Sequence, residues 1–236
     1  MTMTPPRICV VLAALTLIMG CASAIPRDSA DMREKSRQAG MSIRKAGTEW
    51  EKVRSFTFDD PAEMKNFVQA EGSWEIRGGT LRAVAGDRNR AILLAEWGND
   101  PVRIEFDAAN TASRGLIGDI TVLVGATPDK GFFNAGYAIT TGSYWNTCTT
   151  IYRKGTALAN TSWSPVVSKA TNRVAVECDH GHIRYEMNGS VLLETWDTSP
   201  LEFGNDRWIG IRTWATLMEI GEVTVYRGKT PQGNAR

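Results

Sequence analysis

The sequence predicts an all-β sandwich, and three observations carry the prediction. Short segments rich in Val, Ile, Tyr and Trp succeed one another between Gly, Asn, Asp and Pro, the pattern of consecutive antiparallel strands. Gly78-Gly79 and Asn188-Gly189 stand between such segments, where a tight hairpin needs residues that accept φ > 0. Between residues 53 and 227 no long apolar period of 3.6 competes. A chain of 236 residues suits one large β domain, which can bury its core without disulfides or metals.

In chain order, residues 1–20 read as an export signal: Arg7, then an apolar run from Ile8 to Met19 too short to span a bilayer. Ile18-Met19-Gly20-Cys21 resembles a bacterial lipobox, which would make Cys21 the lipidated first residue of the mature chain. Ala22-Ser23-Ala24 offers ordinary signal cleavage instead. The first reading places the protein on the bacterial cell envelope, held to the membrane through the lipid alone, since two or more acyl chains anchor stably. The second makes it secreted or periplasmic and soluble. Residues 21–50 are charged, small and polar, a flexible tether that buries too little to offset its ordering entropy. The domain is expected over 51–230, with 231–236 a disordered tail.

VRSFTFDD is a first strand, with Phe56 and Phe58 on one face. Asp60-Pro61 opens a helical turn as N-cap and first helical residue. The Gly78-Gly79 hairpin follows, then AILLAEW, PVRIEFDAAN and GDITVLVGA as strands. Asn134–Thr141 and Thr147–Arg153 flank a Gly-Ser-Tyr-Trp bend. RVAVEC and HIRYEM turn at Asp179-His180-Gly181, Asn188-Gly189 makes the next hairpin, and WIGIRTW and EVTVYRG close the domain after a long loop from Pro200.

The formal charge is +1, and losing residues 1–20 with Arg7 brings it to 0, so no basic stripe supports nucleic-acid binding. Nucleophile elbow, zinc-protease helix, P-loop and EF-hand patterns are absent from the sequence, and no cofactor is expected. His180 and His182 read as a polar turn, without the spaced ligands a metal site needs.

Phe56-Thr57-Phe58-Asp59-Asp60, Trp74-Glu75-Ile76-Arg77-Gly78-Gly79-Thr80-Leu81, Arg103–Asp107, Gly136-Tyr137, the Asn188-Gly189 hairpin, Ile209–Arg212 and Val223–Tyr226 occur in an informative order. In that order the chain resembles the concanavalin A-like lectin/glucanase jelly rolls, a sandwich of two antiparallel sheets. It is most similar there to the 3-keto-disaccharide hydrolase domain (DUF1080-like) and laminin-G-like domains of bacterial envelope proteins. The resemblance implies a saccharide as ligand or substrate. Where the hydrolase relatives continue G-Y with an acid, this chain has Ala138. Where family-16-type glucanases carry E-x-D-x-x-E, it has Asn110 in the last place.

Two functions follow. A carbohydrate-binding module would use exposed aromatic faces and arginines, here Trp145 in the bend, Trp214 with Arg212, and Arg103, Tyr137 and Arg153. A glycoside hydrolase or keto-disaccharide-cleaving enzyme would use Glu105 and Asp107, two apart on one strand face, as paired carboxylates. The same residues could instead form the solvated face of their strand. Cys148 and Cys178 are the only cysteines beyond the signal region and are expected to form a disulfide in an oxidising compartment, although Cys178 also suits a core position.

Overall fold

A computed structural model describes residues 48–85, 89–110, 119–128, 136–167, 169–204 and 207–229. The expected signal, Cys21, the tether up to residue 47 and the tail 231–236 lie outside the described residues. Among the described residues fifteen strands run in chain order: β1 Glu49–Phe56, β2 Val68–Glu71, β3 Trp74–Ile76, β4 Leu81–Ala83, β5 Asn89–Glu96, β6 Val102–Asn110, β7 Ile120–Ala126, β8 Tyr137–Gly142, β9 Cys148–Arg153, β10 Thr156–Thr161, β11 Thr171–Asp179, β12 His182–Met187, β13 Ser190–Trp196, β14 Trp208–Trp214 and β15 Met218–Lys229.

They form two antiparallel sheets. Sheet A has the order β13-β12-β11-β6-β15-β4-β3, with β1 also paired to β15; sheet B has the order β10-β9-β8-β7-β14-β5-β2. This is the sandwich that the strand pattern predicts. The expected turns are present: Gly78 and Gly79 (φ 62° and 72°), His180 and Gly181 (45° and 93°), and Asn188 and Gly189 (51° and 77°). Asp60 caps a 3-10 turn over Pro61–Asn66, its carboxylate accepting from the Ala62 N–H at 2.8 Å.

Between the sheets, Ile104, Phe106, Val176 and Val225 of sheet A meet Ile92, Val122, Ile139 and Ile211 of sheet B. Each such side chain contributes roughly 1.5–3 kcal/mol through burial. Three expectations need adjustment. The first strand ends at Phe56, and Phe58 (φ 59°) lies beyond it, although the two rings still stack 6.5 Å apart. Strands β2 (VQAE) and β10 (TALANT) carry no β-branched apolar run because both are edge strands with little to bury.

The third is the disulfide: Cys148 and Cys178 are both thiols. Cys178 faces the core from sheet A, as Val174 and Val176 beside it do, and burial pushes its thiol far above the ordinary range. Cys148 begins β9 in sheet B and alternates with the core-facing Ile151 and the inward Thr149, so it lies on the outer side. Two strands in different sheets, one cysteine in and one out, cannot close the bridge.

The sheets differ in their outer faces. In sheet A, β6 alternates buried and half-exposed along its length. In sheet B, β7 and β8 are buried at every residue, and a second cluster of Ala91, Leu93, Leu123, Ala126 and Ala138 forms on the outside. Gly210, in β14, makes this packing possible: a Cβ there would sit 2.5 Å from the Ile92 carbonyl oxygen and 2.9 Å from a Leu93 methyl. Replacing it by alanine should cost about 1–3 kcal/mol, read as a lower midpoint in urea unfolding with an unchanged slope.

Candidate functional site

The outer face of sheet B holds two parallel cross-strand rows. The first runs from β2 to β10 as Glu71, Ala91, Arg212, Thr121, Thr140, Thr150 and Asn160. The second is Val68, Leu93, Gly210, Leu123, Ala138, Tyr152 and Ala157. One row is mostly polar and its neighbour is apolar. Ala91, Gly210, Ala138 and the threonines alternate there with Leu93, Leu123 and Arg212, while Trp208, Trp214 and Tyr152 stand on the same face because residues two apart in a strand share a side.

Arg212 occupies the middle of this face. It donates from Nη1 to Asp119 Oδ2 at 3.1 Å and from Nη2 to Asn89 Oδ1 at 2.9 Å. Asp119 also accepts from the Trp214 backbone N–H and from Thr121 Oγ1, which lies 2.8 Å from Thr140 Oγ1. Desolvation raises the Asp119 carboxyl above the usual range and outweighs the Arg212 charge and the donated hydrogen bonds. Glu71 reaches this face because a register shift between Gln69 and Glu71 turns it outward. Burial lifts its carboxyl too, against the pull of Arg212, and its buried Oε2 has no hydrogen-bond partner among the described residues.

Of the residues singled out by sequence, Arg212 and Trp214 meet here, joined by Trp208. Glu71, Asn89, Asp119, Thr121 and Thr140 were not legible: their convergence depends on register between strands distant in sequence, and for Glu71 on a bulge. Trp145 lies on the turn between β8 and β9 and is 72% exposed.

Tyr137 and Arg153 come together elsewhere, on the inner side of the sandwich. Tyr137 Oη and Arg153 Nε both donate to Asp197 Oδ2 at 2.7 Å, while Arg153 Nη2 donates to the Ser199 carbonyl at 2.7 Å. The Leu201 N–H closes on Tyr137 Oη at 3.0 Å. This cluster ties the chain after β13 to sheet B.

Arg103, Glu105 and Asp107 lie on the outer face of sheet A, in a lattice of charges. Arg103 donates to Glu105 at 2.6 Å and also pairs with Glu177; Arg173 reaches Glu105 at 2.9 Å and Asp107 at 3.5 Å. Desolvation pulls the Glu105 carboxyl upward, but the hydrogen bonds and charges of Arg103 and Arg173 together hold it below the ordinary range. Held ionised, it has the opposite of the raised affinity for protons that a general acid needs. His180 contacts Asp179 at 2.6 Å, and His182 contacts Glu194 at 2.7 Å while stacking on Trp196.

No family model matches the sequence, and no curated protein matches it. Among solved structures it is similar to the carbohydrate-binding module CBM66 from Bacillus subtilis (13% identity, 68% of this chain and 94% of that one, TM-score 0.54). It is similar to a protein of unknown function with a galectin-like fold from Bacillus subtilis (12%, 76% and 99%, TM-score 0.59). It is also similar to the endo-β-1,3-glucanase from Pyrococcus furiosus (12%, 78% and 97%, TM-score 0.57). The fold is the concanavalin A-like, galectin-like jelly roll. At such identities the likeness shows the fold alone.

Because its folded-state pKa is depressed, Glu105 contributes stability that is present above the ordinary carboxylate pKa of about 4.3 and is lost as pH falls through the folded value. Glu105→Gln should therefore lower the thermal midpoint at pH 7 and lower it less at pH 3. Melting curves at the two pH values check this; equal losses would show that the ion pairs do not set the effect.

Proposed function

We propose that the protein is a carbohydrate-binding jelly-roll module whose saccharide lies on the outer face of sheet B. The observation that carries this reading is the pair of rows, one polar and centred on Arg212, the other apolar, with Trp208, Tyr152 and Trp214 beside them. A sugar ring has the matching division, hydroxyls at its rim and C–H bonds on its face. Arg212 is a donor held in place by Asp119 and Asn89, and Glu71 lies in the same row. The carbohydrate-binding module and the glucanase that share the fold support a saccharide over other ligands. The lipobox-like Cys21 and the polar segment after it support a module tethered to the bacterial envelope.

A second reading, a glycoside-cleaving enzyme, is favoured by one feature of the same face. Glu71, its carboxyl raised by burial, lies within reach of the Arg212 charge, the setting of a proton-donating acid. In that case Glu71→Gln abolishes turnover of a bound glycan and leaves its binding in place.

A glycan array probed with the purified chain identifies the ligand. Titration calorimetry with Trp214→Ala and Arg212→Lys then locates it. Each substitution should weaken binding by about tenfold, equivalent to roughly 1.4 kcal/mol, with Trp214→Ala leaving the melting temperature unchanged. Unaltered affinity in both would place the ligand elsewhere.

A further inference from the structure

Beyond the two rows, the turn between β8 and β9 is built at a conformational cost that the fold does not require. Tyr144, Trp145 and Asn146 are consecutive non-glycine residues at φ 50°, 66° and 62°, the left-handed region that side chains disfavour. Such a run persists only where its surroundings dictate it, and here they do. Asn146 Nδ2 donates to the Val166 carbonyl at 2.9 Å, and Ser164 Oγ donates to Asn146 Oδ1 at 2.5 Å. The Thr147 N–H closes on the Ser143 carbonyl at 3.0 Å and Thr147 Oγ1 on the Tyr144 carbonyl at 2.7 Å. What this bracing holds in water is aromatic: Tyr144 is 59% exposed and Trp145 72%, with Trp163 at 51% in the segment that Asn146 grips.

The turn is continuous with the polar row. Ser143 Oγ lies 3.2 Å from Thr140 Oγ1, and Thr140 is the partner of Thr121 in that row. Two strand residues beyond Thr140 advance the chain by roughly 6.6–6.8 Å, of the order of one sugar ring. Ser143, Asn146 and Thr147 intersperse hydrogen-bonding groups among the aromatics, as a hydroxylated ligand requires and a purely apolar partner does not.

We infer that this turn is an end platform of the binding face, where a further ring of an extended saccharide stacks on Trp145 or Tyr144 while another unit of the same chain lies on the Arg212 row. The inference rests on the carbohydrate reading and adds to it that the ligand is an oligosaccharide or an internal stretch of a polysaccharide, not a single terminal sugar. Rigid preorganisation of the aromatics is the reason for the left-handed backbone, since a flexible turn would lose affinity in becoming ordered.

The test is an array of gluco-, manno-, galacto-, xylo-, fructo- and chito-oligosaccharides, each series printed from one to six units and probed with the full chain, Trp145→Ala and Asn146→Ala. In the series that binds, affinity should rise with length. Trp145→Ala should bring the long members down by about threefold to tenfold, to the level of the short ones. Asn146→Ala, which keeps both rings and releases their brace, should reduce the same gain in part. Binding without length dependence, or a length dependence unchanged in Trp145→Ala, overturns the platform and leaves the carbohydrate reading standing. No signal in any series from protein with an intact melting transition overturns both. Concentration-dependent self-association in sedimentation that Trp145→Ala abolishes would assign the turn to a second copy of the chain and overturn the platform as well.

Discussion

Sheet B must bury two faces, and the rest of the molecule is arranged around that requirement. Its inner face supplies half of the core, and its outer face is nearly as well shielded although no second layer of strands lies over it among the described residues. Small side chains alternate at its centre with Leu93, Leu123 and Arg212. Ala91, Gly210, Thr121, Ala138 and Thr140 are the small ones, and Gly210 has no room even for a methyl group. A closely packed outer face, polar in one row and apolar in the next with Trp208 and Trp214 on the same side, is the direct consequence, so the candidate site is a property of how this sheet packs.

Placing a guanidinium on that face creates a second constraint. Arg212 is largely withdrawn from water, and a buried charge is costly unless it is paired and hydrogen-bonded. Asp119 answers it from the position just before β7 and is itself held by the Trp214 backbone, so the pairing also fixes where β14 ends and where Trp214 stands. At the opposite end of the sheets the Tyr137, Arg153 and Asp197 cluster does comparable work between layers. The two arrangements look alike in composition, yet the second faces inward and closes a loop, while the first faces outward and leaves Glu71 with a carboxyl oxygen unengaged.

How much of this could be read from the sequence follows from the range of the interactions involved. Turns are local: Gly78-Gly79, His180-Gly181 and Asn188-Gly189 declare themselves through residues that tolerate φ > 0. Alternation is local too, and WIGIRTW places Trp208, Arg212 and Trp214 on one side without further information. The polar row is not local. Its seven members come from seven strands whose order in the sheet differs from their order in the chain, and Glu71 joins only through a register shift. The disulfide expectation failed for the same reason: counting thiols says how many can pair but not which sheet, or which side of it, each occupies.

The direction in which carboxyl groups are displaced separates the two outer faces more clearly than their composition does. Both carry arginines and acids. On sheet A Glu105 lies between the guanidiniums of Arg103 and Arg173, and the balance of desolvation against attraction comes down on the side of attraction. On sheet B a single guanidinium serves two acids in a drier setting, and desolvation prevails at both Glu71 and Asp119. A face whose charges satisfy one another gains little by meeting a ligand, because binding would have to break pairs already made. A face where one cation is shared between two desolvated carboxyls is less fully satisfied: Glu71 keeps a buried oxygen without a partner among the described residues, and an unmade hydrogen bond in a dry setting is costly. The outer face of sheet B, unlike that of sheet A, therefore carries a carboxyl oxygen whose hydrogen bond is not made among the described residues.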